Sequence, residues 1–211
     1  MRSKLGYGGA LAIGCAALFG IMVFACLGGS ADIGFGDAAG AMLKKLPLIG
    51  GLFKSSETAD IIVGSIRLPR VLSAALVGGA LAVCGCALQG LFKNPMADTG
   101  VLGVSSGAGL GATAAIVFSL NTVMGTGAVT VCAFIGGLLS VMLVYLVSRS
   151  HTGSSTTGLL LAGMCISSLL TSAQTLIMML AKSQMDSVLS WTMGSFASAS
   201  YVKLAWAAPI I

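Results

Sequence analysis

The sequence predicts an all-α, polytopic transmembrane helix bundle, and three observations lead to this fold class. First, the 211 residues are 56% hydrophobic and only 8% charged, with a mean hydropathy of +1.01. Soluble domains carry about 25% charged residues, so the 17 charged side chains here cannot cover a globule of this size. Second, apolar runs of about 20 residues, the length that crosses a bilayer core, recur along the chain. Third, small residues recur at every fourth position within two of those runs.

Five complete spans and the beginning of a sixth are predicted within a single domain, 1–211. The spans cover residues 7–27, 71–92, 100–120, 123–147 and 159–181, and the sixth begins near residue 201. A tight turn at 121–122 would join the third span to the fourth. Cleavage of the first span as a signal peptide is the alternative, but its apolar run is long for that role and four spans follow it. Because the sixth span is incomplete, we expect the chain to be the truncated N-terminal part of something longer.

Two connecting segments are also predicted. If the N-terminus lies in the cytoplasm, residues 28–66 form an extracytoplasmic loop with short helical pieces. Residues 186–200 are too polar to span a membrane and too apolar to be a free loop. With Trp191 inside this segment and Tyr201 and Trp206 close by, it is predicted to be a short interfacial helix. This orientation places most basic residues outside, which the positive-inside rule disfavours unless some of them have another task.

The composition and motifs exclude most enzyme and binding classes. The single histidine, His151, lies in a polar loop, and the six cysteines lie in apolar runs without a CxxC pair, so no metal site is predicted. Walker-type, HExxH and GxSxG motifs are absent, and no catalytic residue or cofactor is predicted in this chain. The basic residues form no stripe with interleaved aromatics, so no nucleic-acid partner is expected. The chain is therefore predicted not to be an enzyme.

Small residues at every fourth position give each of two predicted helices one face that is lined by small side chains. The second span has Ala74, Gly78, Ala82, Cys86 and Gly90, and the third has Gly103, Gly107, Gly111 and Ala115. Such faces let helix backbones approach closely in a membrane. We predict helix packing at Gly78, Ala82, Gly90, Gly103 and Gly111. A bundle built around a pathway is the alternative interpretation of the same spacing.

A break in the chain is predicted after the second span. Pro95 disfavours helical geometry at Asn94, and Gln89 and Asp98 add polar side chains nearby. Irregular backbone at membrane depth is tolerated only inside protein or beside water, so a helix–break–helix hinge is predicted. Carboxylates are absent from all of the predicted spans, which argues against an ion-coupled carrier.

Two arginines, Arg67 and Arg70, lie three residues apart just before the second span. Pro69 between them suits the first turn of a helix, and both guanidinium groups would then project from one side at the membrane surface. Anchoring to lipid phosphates is the common role for such a pair. The alternative is a docking site for carboxylates of a partner protein, where charge pairs set register and encounter rate.

Three segments of the sequence closely resemble a known family. They read RLPRVLSAALVGGALAVCGCALQGLFKNPMADTGVLGVSSGAGLGA (67–112), LLLAGMCISSLL (159–170) and VLSWTMGSFASASYVKLAW (188–206). The family comprises the permeases of ABC importers for ferric siderophores, haem and cobalamin. The resemblance runs from about residue 61 to the end, with two small departures: Met96 stands where Leu is usual and Thr99 where Pro is usual.

The resemblance implies a subunit of about ten spans, each of about 20 residues, that pairs with a second permease subunit, expected to be an identical copy, around a central path. A cytoplasmic ABC ATPase, which carries ATP and Mg²⁺, and an extracytoplasmic substrate-binding protein complete the importer. Arg67 and Arg70 occupy the family's positions for docking the binding protein, which supports a cytoplasmic N-terminus in the bacterial inner membrane. The resemblance also implies path-lining or gating positions at Gln89, Asn94, Pro95, Ser105, Ser106 and Gly107.

The predicted function is therefore that of the N-terminal half of an ABC importer permease for an iron chelate or a corrinoid. The family's main ATPase-docking surface follows the sixth helix, so this stretch alone is not expected to transport. Two alternatives remain from other classes: a structural or assembly subunit of the membrane, and an ion-coupled secondary transporter.

Overall fold

The structure of the protein, a computed structural model, is mainly α-helical in the part of the chain that it describes. It describes residues 6–29, 34–44, 55–95, 97–125, 127–150 and 156–209. The predicted loop histidine, His151, lies outside the described residues. No β-strand occurs within these ranges. The chain divides into two compact units, residues 1–80 with 196–211, and residues 81–195.

The helices, in chain order, are α1 (Tyr7–Leu27), α2 (Phe35–Leu43), α3 (Glu57–Ile61), α4 (Leu68–Phe92), α5 (Val104–Val117), α6 (Leu120–Met124), α7 (Ala128–Ser150), α8 (Thr156–Leu180), α9 (Met185–Met193) and α10 (Tyr201–Ala207). A π-helical turn, Ile62–Arg67, joins α3 to α4. Short 3-10 turns, Thr99–Leu102 and Lys182–Gln184, precede α5 and α9.

Four helical segments in the described part of the chain are long and apolar enough to cross a bilayer. They are α1, the continuous helix Glu57–Phe92, and most of α7 and α8, with mean hydropathies of 2.5, 2.2, 2.3 and 1.6 over their most apolar stretches. Each overlaps one of the predicted spans, and the first agrees at both ends. The predicted all-α, polytopic membrane fold is confirmed.

The third predicted span is shorter in the structure than in the prediction. Residues 100–120 divide into the 3-10 turn and α5, and α5 has only 14 residues. At 1.5 Å per residue a helix of that length rises about 21 Å, short of the roughly 30 Å hydrocarbon core. The division occurs at Gly103, whose φ of +75° ends the 3-10 turn and begins α5. Apolar composition alone does not reveal such a break.

The helix of the second predicted span begins at Glu57 rather than at residue 71, so the last part of the predicted 28–66 loop is helical. The Ser56 side chain caps this helix by accepting from the Ala59 amide at 3.3 Å. Pro69, which has no N–H to donate, lies five residues after Gly64. In a π-helical turn the amide of residue 69 would donate to the carbonyl of residue 64, but proline has no N–H. The Tyr201 hydroxyl donates to the Gly64 carbonyl instead, at 2.6 Å.

Two further connections differ from the sequence prediction. The predicted tight turn at 121–122 is the short helix α6, which begins after Ser119 with φ of +53°. The predicted interfacial helix 186–200 is helical only as α9, because Gly194 adopts φ of +70° and residues 194–200 leave the helical conformation. A left-handed residue ends the regular hydrogen-bond pattern in each case.

Three helix termini meet at one end of the first unit. Arg67 contacts the C-terminus of α1, and Tyr201 at the start of α10 contacts Gly64 of the π-helical turn. The end of α1, the π-helical turn and the start of α10 therefore lie close together within this unit. A small apolar core of this unit is formed by Ala38, Ala41, Ala59 and Val63.

In the second unit α5 is the central helix. Gly107 and Gly111 of α5 lie against Gly136 and Cys132 of α7, with α7 antiparallel to α5. On the other side, α8 approaches the 3-10 turn, where a side chain at Gly163 would collide with the Val101 carbonyl. Close backbone approach without bulky side chains is the usual way in which membrane helices gain dispersion energy.

Candidate functional site

The two predicted docking arginines have different environments. Arg67 is buried, with 9% of its surface exposed. Its Nη1 donates to the main-chain oxygens of Cys26 at 3.1 Å and Leu27 at 2.9 Å. These two carbonyl groups belong to the last turn of α1. Carbonyl groups in the last turn of a helix have no N–H partner within that helix. The buried Arg67 side chain therefore links α1 to the 57–92 helix through these two hydrogen bonds.

Arg70, in contrast, is exposed, and its Nη2 donates to the Ala197 carbonyl at 2.9 Å. The spacing of three residues would put both arginines on one side of a regular helix, but Arg67 closes a π-helical turn whose hydrogen bonds run five residues back. Only Arg70 offers its guanidinium to solvent or to a partner. The docking role predicted for the pair stays a prediction, and exposure favours Arg70 for it.

The predicted hinge after α4 has the geometry of a regular helix terminus. The Lys93 amide donates to Gly90 O at 3.4 Å and the Asn94 amide to Gln89 O at 3.2 Å, and Lys93 has a left-handed φ of +48°. This combination is the Schellman motif. Pro95 then prevents the helix from continuing. The chain breaks where the sequence predicts, and hinge motion there is still a prediction.

The remaining predicted path residues are distributed over different surfaces. Gln89 is exposed on α4, and Ser105 lines a groove of about 440 Å³ between α4 and α5. Ser106 is half-buried and accepts from the Thr171 hydroxyl of α8 at 3.3 Å. Gly107 is buried between α5 and α7. The structure does not bring these residues together into one site.

The small residues predicted to pack helices also divide into two groups. Gly103 and Gly111 lie where a Cβ atom would collide with neighbours: with the Ser140 hydroxyl at 2.7 Å for Gly103, and with the Cys132 backbone for Gly111. Gly78 and Gly90 have no atom within 4 Å of such a Cβ, and Ala82 is exposed. Close packing at the small-residue face of α4 is therefore not seen among the described residues.

A face of hydroxyl groups on α8 is the feature that the sequence analysis missed. Ser168, Thr171, Ser172 and Thr175 are all exposed. They follow the spacing i, i+3, i+4 and i+7, which places them on one side of the helix. Ser172 donates to Ser168 O at 2.8 Å and Thr175 to Thr171 O at 2.9 Å. The hydroxyl oxygens therefore remain as acceptors along the middle of a membrane-spanning helix.

The spacing of these hydroxyls was available in the sequence segment SSLLTSAQT (167–175), which overlaps the end of the second family-like segment. Leu169 and Leu176, which are also exposed on α8, interrupt the polar pattern and hide it from a simple hydropathy average. Within the described residues, no group of three or more His, Cys, Asp or Glu side chains could hold a metal ion. The chemistry that this arrangement offers is weak hydrogen bonding, without fixed charge.

The sequence matches the profile of the FecCD transport family over residues 16–211. The chain belongs to this family. The cobalamin import system permease protein BtuC of Halobacterium salinarum is 37% identical over 159 residues, which are 75% of this chain and 42% of that protein. The vitamin B12 import system permease protein BtuC of Salmonella paratyphi A is 37% identical over 142 residues, covering 67% of this chain and 43% of the relative.

A solved structure described as a metal-chelate type ABC transporter in an inward-facing conformation has a similar fold. Its TM-score is 0.70 at 27% identity, and the match covers 93% of this chain and 56% of that one. The FecCD chain described here thus spans less than half the length of the two BtuC relatives. Family membership and membrane location follow from these matches together with the four spanning helices.

Proposed function

We propose that the chain is a membrane-spanning permease component of an ABC importer and that the hydroxyl face of α8 lines the path of its substrate. The family match and the two relatives named as permeases support the first part. The position of four exposed hydroxyl side chains on one side of α8 carries the second. No catalytic group is assigned to this chain, and the energy is supplied by ATP hydrolysis on a separate subunit.

The α8 face is suited to a path because its polar groups lie at membrane depth. Lipid tails offer no hydrogen bonds, whereas a water-filled path or a polar solute does. Leu169, Leu176 and Leu180 occupy the adjoining side of the exposed surface. α8 therefore has one side suited to water and a neighbouring side suited to lipid or to an apolar helix.

The proposed assembly contains a second permease subunit, taken to be an identical copy, a cytoplasmic ABC ATPase and an extracytoplasmic binding protein. The N-terminus is placed in the cytoplasm of a bacterial inner membrane. This orientation puts the end of α1, the start of the 57–92 helix and the start of α10 outside, where the exposed Arg70 can meet the binding protein. One end of the first unit then provides a single extracytoplasmic surface.

The proposed substrate is a corrinoid, because both named relatives are cobalamin or vitamin B12 permeases. A ferric chelate such as a siderophore or haem is the second candidate, and the likeness to a metal-chelate type transporter favours it. Both are large metal complexes with many hydrogen-bonding groups at their edges. A wall of weak acceptors, without fixed charge, suits either class.

Cysteine accessibility in the assembled importer tests this proposal. Thr175→Cys and its neighbour Leu176→Cys, made in a background without native cysteines, are matched in depth but differ by about 100° around the helix. We expect a charged methanethiosulfonate reagent to modify Thr175→Cys and to inhibit ATP-dependent uptake of radiolabelled cobalamin. Leu176→Cys should resist modification, because its side faces lipid or protein.

Equal modification of the two cysteines, or none at Thr175→Cys, would contradict the path assignment.

The energy source is tested in parallel in proteoliposomes. Uptake that stops when ATP is withheld supports the importer, whereas uptake that stops only when the ion gradient is dissipated supports a secondary transporter. Competition by unlabelled cobalamin, and not by ferrichrome or haem, would select the corrinoid.

A further inference from the structure

A side-chain amide of α8, that of Gln174, lies directly against a glycine of α5. A Cβ atom at Gly109 would lie 2.7 Å from Oε1 of Gln174 and 3.3 Å from its Cδ and Nε2. The missing side chain of Gly109 therefore provides the space that the carboxamide occupies. Both residues belong to the second unit, and Gln174 lies within the apolar segment Thr157–Leu180.

The hydrogen-bonding capacity of the Gln174 amide is not used by the fold. A carboxamide has two N–H donors and a carbonyl acceptor, yet no hydrogen bond of this side chain occurs among the described residues. Gln174 is half-buried in a helix long and apolar enough to cross a membrane, where lipid tails offer no hydrogen-bond partners. Its partners must therefore come from water or from a polar solute.

The amide lies at the edge of the hydroxyl face of α8. Thr171, three residues earlier, belongs to that face and also donates to Ser106 of α5 at 3.3 Å. Residues three apart are neighbours on a helix surface, so Gln174 continues the α5 contact that begins at the exposed Thr171 hydroxyl. The amide therefore borders both the contact with α5 and the path proposed along α8.

A second unused polar group lies on the same side of α5 as the amide. Thr113 follows Gly109 by four residues, which places both on one face of the helix. Its side chain is 0% exposed, and its hydroxyl has no hydrogen-bond partner within the described residues. Buried polar groups in native proteins are nearly always paired. Two polar groups with unused capacity indicate that a hydrogen-bonding molecule occupies this part of the α5–α8 contact.

From these observations we infer that Gln174 contacts the substrate and selects for the amide groups at its edge, and that Gly109 positions the Gln174 amide. The inference rests on the proposed function and is confined to a corrinoid substrate. The periphery of a corrinoid carries carboxamide side chains, and another carboxamide can both donate to them and accept from them. Ser172 and Thr175 already donate to carbonyls of α8, whereas the N–H groups of Gln174 are available as donors.

ATP-dependent uptake of two corrinoids by the assembled importer in proteoliposomes tests the inference. One is cobalamin, and the other is a derivative in which one peripheral carboxamide is hydrolysed to a carboxylate. Because every assay uses the same binding protein, a change in the ratio of the two uptake rates between variants reports the contribution of the permease. We expect Gln174→Leu to lower the cobalamin rate by about twofold to tenfold, the effect of losing one hydrogen bond.

A charged variant and a control make the same assay more specific. Gln174→Lys should shift the ratio of rates towards the carboxylate derivative, because an ammonium group forms a charge-assisted hydrogen bond with a carboxylate. Leu176→Met, on the side of α8 assigned to lipid or protein, is the matched control. It should leave both rates within about twofold of the unmodified importer and their ratio unchanged.

Gly109→Ala tests the positioning role of the glycine. The nearest atom to the added methyl group is the end of a flexible side chain rather than backbone, so the amide can be displaced without separating the helices. The substitution should lower the cobalamin rate as Gln174→Leu does. It should have little further effect in a Gln174→Ala background, where no amide is left to displace. Equal losses in both backgrounds would mean that Gly109 acts on helix packing, and the positioning role would be wrong.

The outcomes separate this inference from the proposed function. Cobalamin uptake that depends on ATP, with a rate and a ratio that Gln174→Leu and Gln174→Lys leave unchanged, would overturn the inference and leave the permease assignment intact. Equal losses for both corrinoids, in proportion to a lower amount of assembled importer, would show a structural role for Gln174 and would also overturn it. Absence of ATP-dependent uptake of either corrinoid by the unmodified importer would overturn the corrinoid assignment together with this inference.

Discussion

The glycines of α5 and α7 and those of α4 share a sequence pattern but not an environment. A Cβ atom at Gly107, Gly111 or Gly136 would come well inside 3.0 Å of backbone atoms on the facing helix. A Cβ atom at Gly78 or Gly90 would meet nothing within 4 Å. In one region glycine is required for two helices to touch, and in the other the described residues place no demand on it.

This difference shows what a spacing of four residues can and cannot predict. The pattern places small residues on one face, and both regions do have such a face. Whether another helix covers it depends on tertiary partners, which the pattern of one helix does not specify. Whether a glycine-to-alanine substitution raises or lowers the free energy of unfolding therefore reports whether another helix covers that face. The sequence pattern does not specify this.

The largest expected effect is at the α5–α7 contact. Gly136→Ala would drive a methyl group into the Gly107 carbonyl, and backbone atoms cannot rotate away as a side chain can. The helices must separate, and we expect the free energy of unfolding to fall by about 2–3 kcal/mol, as for other overpacked interiors. The midpoint of SDS-induced unfolding in mixed micelles, followed by circular dichroism, measures it.

The neighbouring residue supplies the control for that substitution. A Cβ at Gly137 would lie 3.4 Å from the Val104 carbonyl and 3.7 Å from Ala108 Cβ, close to ordinary contact distances. Gly137→Ala should therefore change the midpoint little or raise it slightly. If the two substitutions lower the midpoint equally, the close contact does not distinguish the two faces of α7.

A smaller effect is expected from the hydrogen bond that crosses the same contact. Ser140 is buried, and its hydroxyl donates to Gly103 O at 2.7 Å. Gly103 O also accepts from the Gly107 amide, so Ser140→Ala does not leave the carbonyl without a donor. We expect a loss of about 1 kcal/mol in the same unfolding measurement. Ser172→Ala, on the exposed face of α8, should lose less than about half of that; a larger loss there would be inconsistent with an exposed face.

Much of the fold was predictable because apolar length and composition determine it. Both ends of α1 agree with the predicted span 7–27. Pro95 correctly predicts the end of α4. The sequence could not show that Arg67 turns inward, since three-residue spacing implies a shared side only in a regular α-helix. The π-helical turn changes that register, and its one visible signal is Pro69 facing Gly64 across five residues. The helical spacing of the α8 hydroxyl residues can be read in the sequence. That they share an exposed face is known only from the solvent exposure of their side chains in the structure.

The sign of the effect should reverse on α4. Gly78→Ala adds a methyl group where no atom lies within 4 Å, so no clash opposes the gain from replacing glycine in a helix. We expect the free energy of unfolding of the isolated chain to rise by about 0.5 kcal/mol, at the lower end of the range for helix interiors in water. The same SDS titration measures it, and Gly79→Ala, on an adjacent face with equally open surroundings, should give a gain of similar size. A loss at Gly78 but not at Gly79 would mean that the small-residue face of α4 is covered in the isolated chain. The contrast with the α5–α7 contact would then disappear.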